Sequence, residues 1–188
     1  MGLKNIMLDT QSEKGKKYYT KMLKFLDSPN RKIFDNPEKL IQDSRVKSGQ
    51  TVLEIGCGSG YFTETISKMV GEKGKVYATD IQQIAIDETH KKVDRLGLKN
   101  VIVQIDDALN SSFANDTFDV VLLFGVVPAP IIPMDTISQE NCRILKPGGV
   151  YVVWSKVPLW TPKIALKCAS YDKMKKSGKV FLLHKASN

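Results

Sequence analysis

The feature that most constrains the fold is an alternation of short apolar runs with longer amphipathic segments after Gly49. The runs predict buried strands at Thr51–Ile55, Lys75–Asp80, Val101–Ile105, Phe118–Phe124 and Val150–Trp154. The segments between them predict helices at Tyr61–Val70, Gln82–Leu96 and Met134–Leu145. Strands that alternate with helices of this length form right-handed βαβ units. The sequence therefore predicts an α/β fold, a doubly wound and mostly parallel sheet with helices on both faces.

The two ends of the chain depart from this alternation. Residues 1–48 are polar and helical in character, with an amphipathic stripe in Gln11–Leu26 and a short helix predicted at Pro37–Gln42. The tail has two interpretations. Leu166–Lys173 and Lys179–Lys185 are read as an antiparallel hairpin; the alternative is a helix over residues 162–176 and one last strand. A chain of 188 residues suits one compact domain, with 1–48 as an N-terminal segment and 49–188 as the main body.

The net charge of +8 is unevenly distributed. Residues 1–48 and 111–188 carry +5 each, whereas residues 49–110 carry −2. Basic flanks are typical of proteins that bind nucleic acid, but they also occur as solvated lysine-rich surfaces. The second interpretation is favoured, because no cluster combines arginines with aromatic residues as single-strand binders do.

The cysteines and the apolar runs indicate where such a chain works. Cys57, Cys142 and Cys168 are odd in number and widely spaced, which fits neither a disulfide framework nor a zinc site. Neither an apolar run of roughly 20 residues nor a secretory signal is recognisable, so no membrane partner is expected. His90 and His184 lack metal-ligand spacing, and no metal is expected. A reduced, cytoplasmic protein is the resulting prediction.

A glycine-rich loop, Gly56-Cys57-Gly58-Ser59-Gly60, follows the first predicted strand and opens a predicted helix. Glycines allow sharp turns and close approach of a ligand, and the helix N-terminus offers unpaired N–H groups. The G-x-G-x-G spacing differs from the G-x-G-x-x-G of dinucleotide enzymes, and no Gly-Lys-Ser/Thr ending follows. Glu54 stands two residues before the first glycine, where an acid disfavours a pyrophosphate but suits a cation. S-adenosylmethionine (SAM), a sulfonium with an ammonium group and no phosphate, fits these constraints.

An acid, Asp80, ends the second predicted strand, 20 residues after Gly60. An acid at this position of a nucleotide-binding βαβ unit accepts the hydroxyl groups of the ribose. It also suits a helix cap, and the two roles are compatible. The preceding loop favours the ribose role.

These segments together resemble the Rossmann-like SAM-dependent methyltransferases, which have a seven-stranded sheet. The resemblance is carried by Val52–Gly60, by Val76–Asp80, by Asp107-Ala108, by Phe118–Val121 and by Leu145–Gly149, in family order and spacing. It covers roughly residues 49 to 155 and is specific to the superfamily rather than to a substrate.

The resemblance implies a cofactor site. Gly56, Gly58 and Gly60, with Cys57 and Ser59 between them, would surround the amino-acid end of SAM, and Glu54 would hold that end. Asp80 would bind the ribose and Ile81 would pack on the adenine. Asp107, beside Ala108, would bind the adenine amine, although the neighbouring Asp106 leaves that register open by one residue. Phe124 would approach the methyl donor; a purely structural place in the core is the alternative.

The resemblance does not identify the methyl acceptor. The Asn/Asp-Pro-Pro-Tyr/Phe motif of enzymes that methylate amide or adenine nitrogens is absent after Phe124, and no acid there supports a magnesium site. A general base is needed only if the acceptor must lose a proton, and the sequence identifies none. A small organic acceptor is favoured. RNA or protein methylation through the basic flanks, a SAM-binding protein without catalysis, and a nicotinamide-dependent oxidoreductase are the alternatives. In this superfamily helices before the first strand often form a lid, for which Tyr18, Tyr19, Asn30 and Arg31 are candidates.

Overall fold

The computed structural model describes residues 12–26, 28, 31, 35–126, 132–168 and 170–187. The N-terminal part forms helices α1 (Glu13–Leu26) and α2 (Pro37–Asp43). The elements that follow, in chain order, are β1 (Thr51–Ile55), α3 (Thr63–Val70), β2 (Lys75–Asp80), α4 (Gln83–Leu96), β3 (Val101–Ile105), β4 (Phe118–Phe124), α5 (Met134–Ile144), β5 (Leu145–Trp154), α6 (Ala165–Cys168), β6 (Tyr171–Ser177) and β7 (Val180–Lys185).

The strands form one seven-stranded sheet in the order β3-β2-β1-β4-β5-β7-β6. The first five strands of the chain run parallel, and β7 pairs antiparallel with both β5 and β6. The predicted doubly wound sheet with a terminal hairpin is therefore confirmed. The order of the strands reverses between β1 and β4, and ligands of open α/β sheets bind at the carboxyl edge beside such a reversal.

The core lies on both faces of the sheet, because alternate residues of a strand point to opposite faces. On one face Val52 and Val120 pack with Ile66 of α3, and Leu40 and Ile41 of α2 join the same cluster. The other face packs against α5, and its cluster contains Leu53, Val121, Leu123, Ile137 and Tyr151. The N-terminal segment thus contributes apolar side chains to the core of the main body.

The predicted boundaries of β1 to β4 agree with the structure, and the differences lie elsewhere. Helix α3 begins at Thr63 rather than at Tyr61, since the glycine loop continues through a turn. Strand β5 begins at Leu145, because Leu145 pairs with Phe118 across a bulge in β4. The N-cap residue of α2 is Asn36, as predicted, and its side chain accepts a hydrogen bond from Lys39 N at 3.0 Å.

The hairpin at the C-terminal end is confirmed, and the alternative of a long helix is wrong. Its first strand begins at Tyr171 rather than Leu166, because the preceding residues form a turn and the short helix α6. A two-residue turn, Gly178-Lys179, joins the strands, and Ser177 pairs with Val180 across it. Gly178 has a φ of 53°, which suits this type of turn. Among the described helices, none has the length and apolar character that a membrane span requires.

Candidate cofactor site

The glycine loop leaves β1 at the carboxyl edge of the sheet and reaches α3 within eight residues. Gly56, Gly58 and Gly60 all have left-handed φ angles, of 71°, 60° and 71°. At Gly56 a Cβ atom would lie 2.6 Å from Cγ2 of Val126, so that position excludes any side chain. The N–H groups of Gly56 and Cys57 donate to the carbonyl oxygen of Thr79 on β2, at 2.8 and 2.9 Å. The loop is therefore anchored to the neighbouring strand through its backbone.

Glu54 lies beneath this loop with only 3% of its surface exposed. The hydroxyl of Thr63, in the first turn of α3, donates to its carboxylate at 2.6 Å. Burial raises the pKa of Glu54 to about 7, although the Thr63 hydrogen bond and the positive charges of Lys92 and Arg31 lower it. The site therefore holds a carboxyl group whose ionisation a cationic ligand would favour.

Asp80 ends β2 and faces the glycine loop. Its carboxylate accepts hydrogen bonds from Gly58 N at 3.1 Å and Gln82 N at 3.0 Å. The second contact lies just before α4, so the predicted capping contact is present together with a contact to the loop. Burial raises the pKa of Asp80, whereas these two backbone N–H groups lower it.

Helix α1 covers the loop. Its Tyr19 hydroxyl lies 3.4 and 3.5 Å from the two carboxylate oxygens of Asp80 and donates to them. Leu23 is buried, and its Cδ2 atom lies 3.5 Å from the position of a Cβ at Gly58. The N-terminal segment therefore lies over the residues predicted to bind the cofactor, as a lid would. Of the other lid candidates, Tyr18 is half-buried and Asn30 lies outside the described residues.

Arg31 connects this lid to the loop. Its guanidinium carbon lies 3.9 Å from the ring centroid of Tyr61 and 5.2 Å from that of Phe62, the two residues that follow Gly60. Its Nε atom lies 3.3 Å from a carboxylate oxygen of Asp35. Cation–π contacts and an ion pair therefore fix the N-terminal segment beside the glycine loop.

The structure separates the two candidate acids after β3. The carboxylate of Asp106 is buried and accepts three hydrogen bonds within its own loop, from Ser111 Oγ and from the N and Oγ of Ser112, at 2.7 to 2.8 Å. The carboxylate of Asp107 is exposed and accepts one hydrogen bond, from Leu109 N at 2.9 Å. Asp106 has its hydrogen-bonding capacity committed to the loop, and Asp107 retains capacity for a ligand.

The remaining predicted residues surround the same edge of the sheet. Ile81, beside Asp80, is 57% exposed, an unusual state for a large apolar side chain. Cys57 and Ser59 are buried and Ala108 is half-buried. Phe124, at the end of β4, is buried, and its ring makes edge contacts with Phe62 at 5.2 Å and Trp154 at 6.2 Å between centroids.

Sequence reasoning missed several contacts that shape this site. They are the hydrogen bonds from Thr63 to Glu54, from Thr89 Oγ1 to Gly58 O at 3.0 Å, and from Lys92 Nζ to Gly60 O at 3.1 Å. Thr89 and Lys92 lie three residues apart on α4, so one face of that helix supports the loop. The helical spacing was visible in the sequence, but nothing there indicated which helix face meets the loop. Among the described residues, no group of three or more His, Cys, Asp or Glu side chains is placed to hold a metal ion.

Comparisons with known proteins assign the chain to a family. A family model described as a methyltransferase domain matches residues 46–182, and the chain belongs to that family. It resembles the solved structure of a SAM-dependent methyltransferase from Aquifex aeolicus with a TM-score of 0.72 and 29% identity, over 87% of this chain and 96% of that one. The predicted Rossmann-like, SAM-dependent methyltransferase fold is thereby confirmed.

Two curated relatives show what kinds of enzyme share this domain. The chain is 30% identical to a demethylmenaquinone methyltransferase from Lactobacillus johnsonii, over 73% of this chain and 56% of the relative. It is 35% identical to a ubiquinone/menaquinone biosynthesis C-methyltransferase from Haemophilus ducreyi, over 65% of this chain and 48% of the relative. The chain thus spans about half the length of these curated relatives.

Proposed function

We propose that this protein transfers the sulfonium methyl group of SAM to a small organic acceptor. The observation that carries the proposal is the pair of buried acids at the glycine loop, Glu54 below it and Asp80 beside it. Burial raises the pKa of both, so each is held in an environment that a positively charged or hydroxyl-rich ligand would stabilise. A phosphate-bearing ligand would instead meet two carboxylates, and this disfavours a nucleotide.

The residues at this edge fit the parts of SAM. Glu54 suits the cationic end, and the carboxylate of Asp80 suits the ribose hydroxyls. Ile81 offers an exposed apolar surface for the adenine, and Asp107 an acceptor for its amine. We propose these roles, with the loop Gly56-Cys57-Gly58-Ser59-Gly60 and Ala108 as the backbone that surrounds the cofactor.

SAM supplies a methyl group that is activated by its attachment to a positively charged sulfur. The protein then needs to position the acceptor and exclude water. Phe124, Phe62 and Trp154 form an aromatic cluster beside the loop. We propose that this cluster provides the water-poor surface against which the acceptor approaches.

A small acceptor is supported by two observations. An open groove of about 900 Å³ adjoins Trp154, a volume that suits a small molecule. The curated relatives are named for demethylmenaquinone and for ubiquinone/menaquinone biosynthesis, which are small-molecule reactions. RNA and protein remain alternative acceptors because of the basic flanks, and we include them in the test.

Thermal shift and calorimetry test the cofactor. SAM and its product S-adenosylhomocysteine should raise the melting temperature, whereas NAD and ATP should not; saturation at 100 times Kd adds about 2.7 kcal/mol of stability. Asp80→Asn should weaken SAM binding by about 1–3 kcal/mol. Asp87→Asn, the same change at an exposed position of α4, serves as the control. Stabilisation by NAD alone, or an unchanged SAM affinity in Asp80→Asn, would contradict the proposal.

Transfer of a labelled methyl group tests the reaction. The protein is incubated with labelled SAM and, separately, with a metabolite pool, total RNA and total protein. Label in the metabolite pool is the expected result. Label only in RNA or protein would replace the small acceptor with a macromolecule, and SAM binding without any transfer would indicate a binding protein.

A further inference from the structure

The groove beside Trp154 has a position that follows from the sheet. Strands β5 and β7 are antiparallel, with Val153 opposite Phe181, so the Gly178-Lys179 turn lies at the edge where β5 ends. That is also the edge of the glycine loop, since β1 and β5 are both parallel to β4. The hairpin turn therefore forms one wall of a groove that begins near the predicted methyl donor.

The inner end of the groove is aromatic. Trp154 is 4% exposed, and its ring contacts Phe124 and Phe62 at the cofactor side. Trp160, from the loop after β5, and Phe181, from β7, also line the groove. This surface suits a flat, apolar ring system.

The charges along the groove are mainly positive. Arg31, Lys156, Lys176 and Lys179 line it, and Asp35 is the acid among its lining residues. Asp35 is shared by two of the cations, Arg31 at 3.3 Å and Lys156 at 2.6 Å. One carboxylate cannot balance four cations, so the groove carries a positive excess.

The remaining two lysines lie at the outer end, by the hairpin turn. The Nζ atom of Lys176 lies 5.8 Å from the ring centroid of Phe181. The backbone N–H of Lys179 donates to Asp43, which stands on α2 behind the turn and lies 4.0 Å from Lys39. The acid nearest this end is thus also shared with a cation outside the groove.

We infer that the groove binds the methyl acceptor and that this acceptor is an apolar, ring-bearing molecule with an anionic group. The ring lies against Trp154 and Trp160, and the anionic group faces Lys176 and Lys179. The atom that receives the methyl group is at the Trp154 end, next to Phe124. This assignment rests on the proposed function and adds the chemical class of its substrate.

The chain offers a built-in reporter for the groove, because its two tryptophans, Trp154 and Trp160, both line it. The probe is 1-anilinonaphthalene-8-sulfonate, an aromatic anion, and its neutral counterpart is N-phenyl-1-naphthylamine, which lacks the sulfonate. Quenching of tryptophan fluorescence gives the affinity of each. The anion should bind the wild type more tightly than the neutral probe, and added salt should reduce the difference.

Paired substitutions locate the charge effect. Lys176→Gln with Lys179→Gln should weaken binding of the anion about fivefold or more and leave the neutral probe unchanged, since charge-assisted contacts are lost. Lys173→Gln with Lys175→Gln removes the same charge from β6 at residues outside the groove, and should change neither affinity. Equal binding of both probes by the wild type, or equal effects of both double variants, would overturn the assignment.

Calorimetry with SAM separates the two proposals. The Lys176→Gln and Lys179→Gln variant should bind SAM like the wild type, because neither lysine belongs to the cofactor site. If the wild type binds SAM without preferring the anionic probe, the inference is wrong and the proposed function stands. If the wild type does not bind SAM, the proposed function is wrong, and a bound anion is then not a methyl acceptor.

Discussion

Replacing Glu54 by Gln should remove a pH-dependent loss of stability. The folded protein raises the pKa of this buried carboxyl group from 4.5 to about 7. Between these pH values the folded state still holds the proton that the unfolded state has lost. Stability therefore falls as pH rises through this window, and the loss is complete above pH 7. At about 1.4 kcal/mol for each pH unit, the shift corresponds to about 3 kcal/mol.

Urea unfolding at a series of pH values from about 4.5 to 7.5 measures this effect. The free energy of unfolding of wild type should fall by about 3 kcal/mol more than that of Glu54→Gln across the series. Glu88→Gln makes the same change on the exposed face of α4 and is the control for loss of one charge. Parallel profiles for wild type and Glu54→Gln would refute the reasoning, because the buried carboxyl group would then titrate alike in both states.

The same group should make ligand affinity depend on pH in the opposite direction. In its proposed role, Glu54 binds the ammonium group of the ligand in the ionised form. The ionised fraction rises from about a tenth at pH 6 to about three quarters at pH 7.5, so the Kd of S-adenosylhomocysteine should fall about eightfold. Methylthioadenosine, which lacks the amino-acid end, should not show this component. A flat profile for S-adenosylhomocysteine would place the amino-acid end away from Glu54.

Three further changes test other parts of the site. Tyr19→Phe removes the weak, long hydrogen bonds to Asp80 and should tighten SAM binding about two- to threefold by calorimetry, since the ribose then has no competitor; weaker binding would make Tyr19 part of the site. Gly56→Ala should lower the melting temperature and weaken SAM binding, because the site has a left-handed φ and no room for a methyl group; wild-type behaviour would contradict this. Asp107→Asn should weaken SAM binding at unchanged stability in urea, whereas Asp106→Asn should reduce stability; the reverse outcome would move the adenine contact by one residue.

The order of strands and helices was predictable because local signals mark their ends. Strand β1 is bounded by the glycine loop and β2 by Asp80, and both were placed correctly from the sequence. The start of β5 was not, since Leu145 joins the sheet by pairing with Phe118, 27 residues earlier. Such a partner has no signature in the local pattern.

The site shows the same division between local and distant information. The positions of Glu54 and Asp80 follow from strand ends, and the structure places both at the glycine loop. The contact of Tyr19 with Asp80 joins residues 61 apart, and helical periodicity shows only that Tyr19 belongs to an apolar stripe. The groove combines an N-terminal arginine, a loop and the last hairpin, so no single segment predicted it. The roles of the cofactor-binding residues stay predictions.

The two edges of the sheet differ in how they resist pairing with another molecule. Strand β6 forms one edge and carries Lys173, Lys175 and Lys176 together with an irregularity in register near Lys173, features that deter strand addition. Strand β3 forms the other edge and exposes Ile102 and Ile105, at 38% and 50%. Edge-to-edge aggregation on storage or heating should therefore start at β3, and an added lysine at Ile102 is the change that would suppress it.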